Sequence, residues 1–249
     1  MDLREAATIA LGRPDAQLGQ TSKMPGRSFG LSAFQCKRGS DLAADPRTAC
    51  GQCYARTNYY ATKHEVVKAH RARMRGLRDP RWVEAMVVLV RQYVDPAVPY
   101  FRWHDSGDIQ SVAHLRRIVM VCQATPDVRH WLPTHEPHMV RRYLAAHGAF
   151  PSNLCVRVSA DFIDRPATGV PAGLVTSTIH RGHGNRNLGK VTAAGQRSIE
   201  CKSYTRSKDG HSAGECGKCR ACWDQRVRNV SFPLHGERKG KYQLRLLSD

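Results

Sequence analysis

Segments with strand-like and helix-like patterns alternate along the middle of the chain, and this alternation constrains the fold more than any other feature. Strands are predicted at residues 98–103, 129–132, 154–158 and 174–179, with a further strand at 198–201. Such alternation is typical of a parallel sheet covered by helices, so we predict an α/β fold, namely a (β/α) TIM-like barrel. The strand count falls short of eight, so the predicted barrel can be incomplete.

Helices are predicted at residues 55–78, from Pro80 onwards, from about Ser111, and at 137–147. In the pair Asp79-Pro80, the aspartate can cap a helix and the proline can take its first position. The helix after Pro80 carries large apolar residues at helical spacing. We interpret this stripe as core rather than as a cofactor site: Trp82, Met86, Leu89, Val90 and Tyr93.

The 249 residues suit one α/β domain, and we predict a single domain over residues 1–249. It would consist of an irregular lead-in at 1–55, a barrel core at 56–184 and an irregular, cysteine-rich tail at 185–249. No apolar stretch is long enough to cross a membrane, and the first residues lack the apolar core of a signal peptide. We therefore expect a cytoplasmic protein that makes no membrane contact.

The charge of the chain is strongly positive. Lysine and arginine number 39 against 21 aspartates and glutamates, which gives a net charge of +18. A surface of this kind attracts phosphate backbones, and the release of counterions drives the binding. A nucleic-acid partner is therefore predicted; the alternative is a basic protein without an acidic partner.

The sharpest local motif is Cys216-x2-Cys219-x2-Cys222, with Cys201 or His235 as a fourth candidate ligand. Sulfur ligands at this spacing are typical of a tetrahedral Zn²⁺ site or of an iron–sulfur cluster. We expect the site to hold the tail against the domain.

A second group of cysteines lies near the N-terminus: Cys36, Cys50 and Cys53. Three cysteines leave one position open, as in clusters that bind a cofactor at their unique iron. The alternatives are a structural zinc site completed by a histidine, or no metal at all. The two other cysteines, Cys122 and Cys155, lie in apolar patterns and are predicted to be buried thiols.

Acidic residues follow the predicted strands. Asp105 and Asp108 stand in the segment His104-Asp105-Ser106-Gly107-Asp108, and Asp161 follows a later strand. Carboxylates at the carboxyl ends of parallel strands can act as base or nucleophile, and Gly107 would let a planar ligand approach the backbone. Caps for the next helix are the alternative role. The substrate-binding candidates in this region are His104, Ser106, Gly107, Asp108 and Gln110.

Two segments resemble motifs of the tRNA-guanine transglycosylases. Asp105-Ser106-Gly107-Asp108-Ile109-Gln110 is similar to their Asp-Ser-Gly-Gly-aromatic-Gln motif. Glu200-Cys201-Lys202-Ser203-Tyr204-Thr205-Arg206 is similar to their Asp-Cys-Val-Leu-Pro-Thr-Arg motif. The resemblance implies a TIM barrel that exchanges a guanine in a nucleic acid for a 7-deazaguanine base such as preQ0.

That resemblance also implies roles for particular residues. Asp105 would be the general acid/base, Glu200 the nucleophile that attacks the sugar, and Asp161 a ligand of the incoming base. The zinc ligands would be Cys216, Cys219, Cys222 and His235, with Cys201 also among the metal candidates. The chain departs from the family in having Glu200 in place of aspartate, Asp108 in place of glycine, and a shorter length.

The chain also resembles the phage Gene product 88-like proteins. It shares with them Cys-x2-Cys-Tyr-Ala from Cys50 to Ala55, the segment from Arg102 to Asp108, and the segment from Cys216 to Trp223. This resemblance implies a phage protein in the host cytoplasm, with DNA as the partner. Our first hypothesis is therefore a transglycosylase that places a 7-deazaguanine in phage DNA, with tRNA as the alternative substrate.

Two other hypotheses stay open. In a radical S-adenosylmethionine (SAM) enzyme, Cys36, Cys50 and Cys53 would hold a 4Fe–4S cluster. The segment Ser106-Gly107-Asp108 would contact the methionine amine, and the C-terminal cysteines would hold an auxiliary cluster. In a zinc-stabilised DNA-binding protein without enzymatic activity, the acidic residues would serve as helix caps.

Overall fold

A computed structural model describes residues 1–181, 198–201, 203 and 214–234. The helices in these ranges are α1 (Leu3–Leu11), α2 (Arg38–Leu42), α3 (Tyr59–Thr62), α4 (His64–Gly76), α5 (Trp82–Tyr93), α6 (Val112–Ala124) and α7 (Pro137–His147). The strands are β1 (Arg27–Phe29), β2 (Tyr100–Trp103), β3 (Arg129–Thr134), β4 (Leu154–Ser159), β5 (Val175–His180), β6 (Ser198–Glu200) and β7 (Asn229–Pro233).

The strands form one sheet in the order β1-β2-β3-β4-β5-β7-β6, and every pairing is parallel. The prediction of an α/β fold with a parallel sheet is therefore confirmed. Between the described residues, the ladder runs from β1 at one edge to β6 at the other, and no pairing joins these two edges. The sheet is open there, and closure into a TIM-like barrel stays a prediction.

The largest part of the core lies between the sheet and the helices α1, α5, α6 and α7. The apolar stripe of α5 is buried here as predicted, since Trp82, Met86 and Leu89 are all 0% exposed. The Phe29 ring of β1 packs edge-on against Trp82 at 5.8 Å and against Trp103 of β2 at 6.1 Å. Each such side chain contributes about 2–3 kcal/mol to folding through its burial.

Local signals account for the helix starts. The Ser111 hydroxyl accepts a hydrogen bond from the His114 N–H at 3.0 Å and caps α6 as predicted. The Asp79 carboxylate accepts from the Arg81 N–H at 2.8 Å, in a turn just before α5, so this helix begins two residues after Pro80. The predicted helix at 137–147 is present with the same bounds.

The lead-in and the tail contain regular elements that the patterns did not predict. The lead-in holds α1 and β1, and the tail contributes β7, which inserts between β5 and β6. Strand β7 carries the polar residues Asn229 and Ser231, both almost fully buried. The Asn229 amide donates to the Thr178 and Ser198 hydroxyls at 3.0 and 2.7 Å, so its polar groups are satisfied inside the sheet. The division into one domain with three parts stays a prediction.

None of the helices in the described ranges has the length and apolar character that crossing a lipid bilayer would require.

Candidate metal centre and substrate cavity

A cavity of about 900 Å³ opens where the strands reach their carboxyl ends. Its walls include residues 104–108 after β2, Thr134 and His135 at the end of β3, and Ser159 and Ala160 at the end of β4. Parallel α/β folds bind their ligands at the carboxyl ends of the strands, and the volume of this cavity suits a cofactor together with part of a substrate.

Segments from both edges of the sheet line this one cavity. Residues 19–24, which precede β1, contribute to the wall, and so does Cys201, which follows β6 at the other edge. The Cys216 N–H donates to the Lys23 carbonyl at 2.9 Å, so the C-terminal segment lies directly against the lead-in. The sheet therefore curves around the cavity although its edge strands are unpaired with each other in the described residues.

The N-terminal thiol group, defined as Cys36, Cys50 and Cys53, lines this cavity. All three residues lie in the connection between β1 and α3. A carbon added at Gly39 in α2 would lie 3.4 Å from the Cys50 sulfur and 3.7 Å from the Cys36 sulfur, so both sulfurs face the same glycine. The loop thus closes the long sequence gap between Cys36 and Cys50.

Burial and neighbouring charges favour the protonated form of the thiols in the N-terminal thiol group when no cation is present. Burial raises the pKa of the Cys36 thiol, and the nearby charges of Asp108, Cys50 and Cys53 raise it further. Burial likewise raises the pKa of Cys50, with Cys53 as the next cause. A bound cation would reverse this balance, because thiols release their protons when they bind metal.

The C-terminal thiol group, defined as Cys201, Cys216, Cys219 and Cys222, lies on the other side of the same cavity. Cys201, Cys216 and Cys222 line the wall, while Cys219 is exposed. Burial and the neighbouring Cys201 and Cys219 raise the pKa of Cys216 to about 11. The predicted ligand His235 lies outside the described residues. The structure therefore brings the two cysteine motifs to one cavity, which their separation in sequence did not indicate.

Arg157 holds the C-terminal thiol group in place. This fully buried residue of β4 donates to the carbonyls of Ala221, Cys222 and Asp224 at 2.7, 3.0 and 2.8 Å, and to that of Thr176 at 3.1 Å. Sequence reasoning missed Arg157. The signal that would have found it is an arginine in the middle of the apolar strand Leu154–Val158.

A single metal ion and an iron–sulfur cluster require different distances between their cysteine sulfurs. Within the described part of the chain, no three side chains of His, Cys, Asp or Glu lie close enough together to bind one metal ion. A tetrahedral zinc, with Zn–S bonds of about 2.3 Å, needs its sulfurs roughly 4 Å apart. An iron–sulfur cluster binds each thiolate through a different iron, so its sulfurs are spread more widely. Metal binding at either thiol group therefore stays a prediction.

The two aspartates of the turn after β2 have different environments. The Asp108 carboxylate accepts from the Ile109 N–H and the Thr134 hydroxyl at 2.7 Å and from the His135 N–H at 2.8 Å. Burial raises the pKa of Asp108, and these hydrogen bonds oppose the shift. With both oxygens engaged, Asp108 ties the end of β2 to the end of β3.

Asp105 retains an unused oxygen. Its Oδ2 accepts from the Tyr60 hydroxyl at 2.9 Å, while its buried Oδ1 has no hydrogen-bond partner among the described residues. A carbon at Gly30 would lie 2.5 Å from this Oδ1, so glycine is needed where the carboxylate packs. Burial and then the charge of Asp105 raise the pKa of Tyr60, so this phenol stays a hydrogen-bond donor. Asp105 thus lies on the cavity wall with one oxygen bound to Tyr60 and the other buried beside Gly30 without a partner among the described residues.

His104 and Gly107 also line the cavity, and both make close contacts within the protein. The His104 ring packs 5.4 Å from the His114 ring, on the helix side of the sheet, and its backbone adopts a left-handed φ of 62°. Burial, and then the charge of His114, lowers the pKa of His104. Gly107, with φ of 83°, approaches Leu31, whose Cβ would lie 2.7 Å from an added carbon. The close approach at Gly107 is thus to protein backbone and side chain.

Of the remaining substrate-binding candidates, Ser106 lines the cavity, and its carbonyl accepts from the Leu31 N–H at 2.7 Å. Its buried hydroxyl has no hydrogen-bond partner in the described part of the chain. The Gln110 side chain donates to the Asp108 carbonyl at 2.8 Å, within its own loop.

The remaining two carboxylates of the transglycosylase hypothesis each lie beside a basic side chain. Asp161 bonds with Arg38 and lies 3.3 Å from the His135 ring. Burial alone would raise the pKa of Asp161, but the hydrogen bonds from these two side chains outweigh it and lower the pKa to about 2. Glu200 lies 3.3 Å from the His180 ring. In the described structure, Asp105 lines the cavity whereas Asp161 and Glu200 are outside its lining.

The fold and the site define a class of protein: a parallel α/β protein in which residues of two thiol groups and the Asp105 carboxylate line one cavity. The chain belongs to the Gene product 88 family of phage proteins, whose family model matches residues 5–225. The matched range contains both thiol groups and the turn after β2, and it ends before β7. No curated protein and no solved structure matches the chain.

Proposed function

We propose that this protein is an iron–sulfur enzyme that uses SAM to modify a nucleic acid. The observation that carries the proposal is the meeting of Cys36, Cys50 and Cys53 on the cavity wall. They lie in the connection that follows β1, and the turn with Asp105 follows the neighbouring strand β2. A single cavity wall would thus hold a cluster next to a carboxylate that can bind an amine.

The N-terminal thiol group would hold the cluster. Its three sulfurs would leave one iron of a 4Fe–4S cluster without a protein ligand, and all three cysteines line the cavity. When bound, such a cluster supplies an electron for the reductive cleavage of SAM, which starts radical chemistry. The C-terminal thiol group would hold a second centre, either an auxiliary iron–sulfur cluster or zinc.

The protein would hold SAM through Asp105. An ammonium group is a hydrogen-bond donor, and the Oδ1 of Asp105 is an acceptor that no described residue uses. Because this oxygen is buried beside Gly30, the carboxylate would turn towards the cavity when the ammonium group binds. Tyr60 fixes the other oxygen, and Gly30 leaves room for the carboxylate. The sequence assigned this role to Ser106-Gly107-Asp108, but Asp108 has both oxygens engaged, so we assign it to Asp105.

The cavity also has features suited to a nucleotide. Trp131, Trp223 and Phe232 contribute to its wall, with the Trp131 and Phe232 rings nearly parallel at 6.3 Å. The Arg102 guanidinium stacks over Trp131 at 4.6 Å. Aromatic and cationic surfaces together are typical of sites for bases and phosphates, and the net charge of +18 favours a polyanionic partner.

The transglycosylase hypothesis draws less support from the site. It requires that Asp105 and Glu200 act on one sugar while Asp161 binds the incoming base. Yet Asp161 is paired with Arg38 and Glu200 lies beside His180, both outside the described cavity lining. The hypothesis of a DNA-binding protein with acidic helix caps also has less support, because Ser111 caps α6 and Asp105 faces the cavity.

The test is anaerobic purification followed by reconstitution with iron and sulfide. We expect a brown protein whose iron content exceeds three per chain, and cleavage of SAM to its adenosyl product when a reductant is added. Replacing Cys36, Cys50 or Cys53 with Ala should abolish SAM cleavage while the metal at the C-terminal group, whether iron or zinc, persists. The matched control is Cys122→Ala, since Cys122 is a buried thiol away from the cavity. A colourless protein with zinc alone, and no SAM cleavage under reduction, would refute the proposal.

A further inference from the structure

Three exposed aromatic residues lie in, or form a β-bridge with, the connection between β1 and α4, whose residues also line the cavity. We define the aromatic rim as Phe34, Tyr59 and Phe162, which are 38%, 60% and 42% exposed. Phe34 and Tyr59 lie in the connection between β1 and α4, and Phe162 follows the carboxyl end of β4. The other large exposed apolar residues of the described chain, Met120 and Ile199, are aliphatic. The exposed aromatic side chains of the described chain therefore all lie in segments that follow the carboxyl ends of β1 and β4.

Contacts with the surrounding loops hold the rim in position. The Arg56 guanidinium lies 4.8 Å from the centre of the Phe34 ring and donates to the Ala33 carbonyl at 3.1 Å. The Tyr59 ring packs edge-on against Tyr60, which is bound to Asp105. The rim thus has fixed rings with exposed faces, an arrangement that lowers the entropy cost of stacking with a ligand.

Phe162 is held by pairing between two loops. The Ala49 N–H donates to the Asp161 carbonyl at 2.8 Å, and the Ile163 N–H donates to the Arg47 carbonyl at 3.0 Å. Since these bonds flank Phe162 on both sides, its position is set by the backbone. The neighbouring Asp161–Arg38 ion pair joins the same loop to α2.

Exposed basic residues accompany each ring. Lys37, Lys63 and Arg165 are exposed and follow Phe34, Tyr59 and Phe162 by three or four residues along the chain. Rings interleaved with cations are the surface that unpaired nucleic acid recognises, because bases stack on the rings while phosphates contact the charges. Duplex nucleic acid keeps its bases stacked inside the helix, so it cannot use the rings in this way.

We propose that the aromatic rim binds the unpaired nucleotides next to the target base, so that the substrate is single-stranded nucleic acid. The inference rests on the nucleic-acid substrate of the proposed function but not on the metal centre. Tyr59 also lines the cavity, so a strand held on the rim can direct one base inward. The target base would then enter without the cost of opening a duplex.

The experiment compares binding of a labelled single-stranded oligonucleotide and of its duplex by fluorescence anisotropy, using the reconstituted protein. We expect tighter binding of the single strand by about tenfold or more. Substitution of Phe34, Tyr59 or Phe162 with Ala should weaken single-strand binding by about fivefold or more per ring, with the salt dependence unchanged because no charge is removed. The matched control is Met120→Ala, which removes an exposed apolar side chain from α6 and should leave binding unchanged.

Equal or tighter binding of the duplex would overturn the inference, as would wild-type affinity in all three rim variants. Iron content and SAM cleavage are measured on the same samples. Rim-dependent binding in a protein that takes up no iron would uphold the rim while refuting the enzyme. Iron loading and SAM cleavage without rim dependence would refute the rim alone.

Discussion

Removal of the Arg157 side chain tests how the C-terminal thiol group is attached to the sheet. Arg157 is 0% exposed, and its guanidinium donates to the carbonyls of Thr176, Ala221, Cys222 and Asp224. In Arg157→Leu these acceptors lose their donor inside the protein. At about 1 kcal/mol for each hydrogen bond, the loss amounts to roughly 4 kcal/mol. For a domain of this size, the melting temperature should then fall by about 8–16 °C.

Two measurements check this prediction. Calorimetry gives the melting temperature, and a thiol reagent gives the reactivity of Cys222, which should increase as the segment at 221–224 detaches from β4. The control is Arg129→Leu, because Arg129 is exposed on the neighbouring strand β3. Arg157→Lys keeps the charge but has fewer donors, so it should fall between wild type and Arg157→Leu. If Arg157→Leu melts within two degrees or so of wild type and its Cys222 is no more reactive, the anchoring role is refuted.

Two further predictions concern the acids near the cavity. Gly30→Ala would place a carbon 2.5 Å from the Asp105 Oδ1, so we expect SAM affinity, measured by equilibrium dialysis, to fall about tenfold or more. The control for loss of a glycine is Gly148→Ala, where the added carbon meets no atom within 4 Å, although the positive φ of Gly148, unlike the backbone at Gly30, adds strain. If Gly30→Ala and Gly148→Ala bind SAM with equal affinity, the steric argument is contradicted. Because the pKa of Asp161 is lowered from 3.8 to about 2 in the folded protein, its ion pairs stabilise the fold above pH 4, and this stability is lost as the pH falls towards 2. Asp161→Asn should therefore be about 2 kcal/mol less stable than wild type at pH 7 in urea titrations, and this difference should vanish near pH 2. The control is Asp15→Asn, whose aspartate lies in an exposed pair with Arg13, and its stability should equal that of wild type at both pH values.

Elements with strong local signals were predictable from the sequence. The helix at 137–147 was found with its predicted bounds, and Ser111 caps α6, because periodicity and caps depend on residues within one or two turns. Strand β7 was not predictable from its own residues. Asn229 and Ser231 are polar, and they are buried only because partners from β5 and β6 satisfy them.

The candidate site, like the fold, was only partly predictable from the sequence. The cysteine spacings predicted two thiol groups, and both line the cavity. The roles of the acids stay predictions. The sequence grouped Asp105 with Asp161 and Glu200, but Arg38, His135 and His180 reach the latter two from other parts of the chain.

By itself, the sequence determined the alternation of strands and helices, the positive charge, and the chemical groups available as ligands: thiols and carboxyls. The tertiary structure alone decided that residues of the N-terminal and C-terminal thiol groups line one cavity. It also decided that both oxygens of Asp108 are hydrogen-bonded, whereas the Asp105 Oδ1 has no partner among the described residues. The physical reason is that burial and hydrogen-bond occupancy arise from contacts between residues distant along the chain. A pattern read along the chain reports which groups are present, whereas only their packing determines which of them remain available.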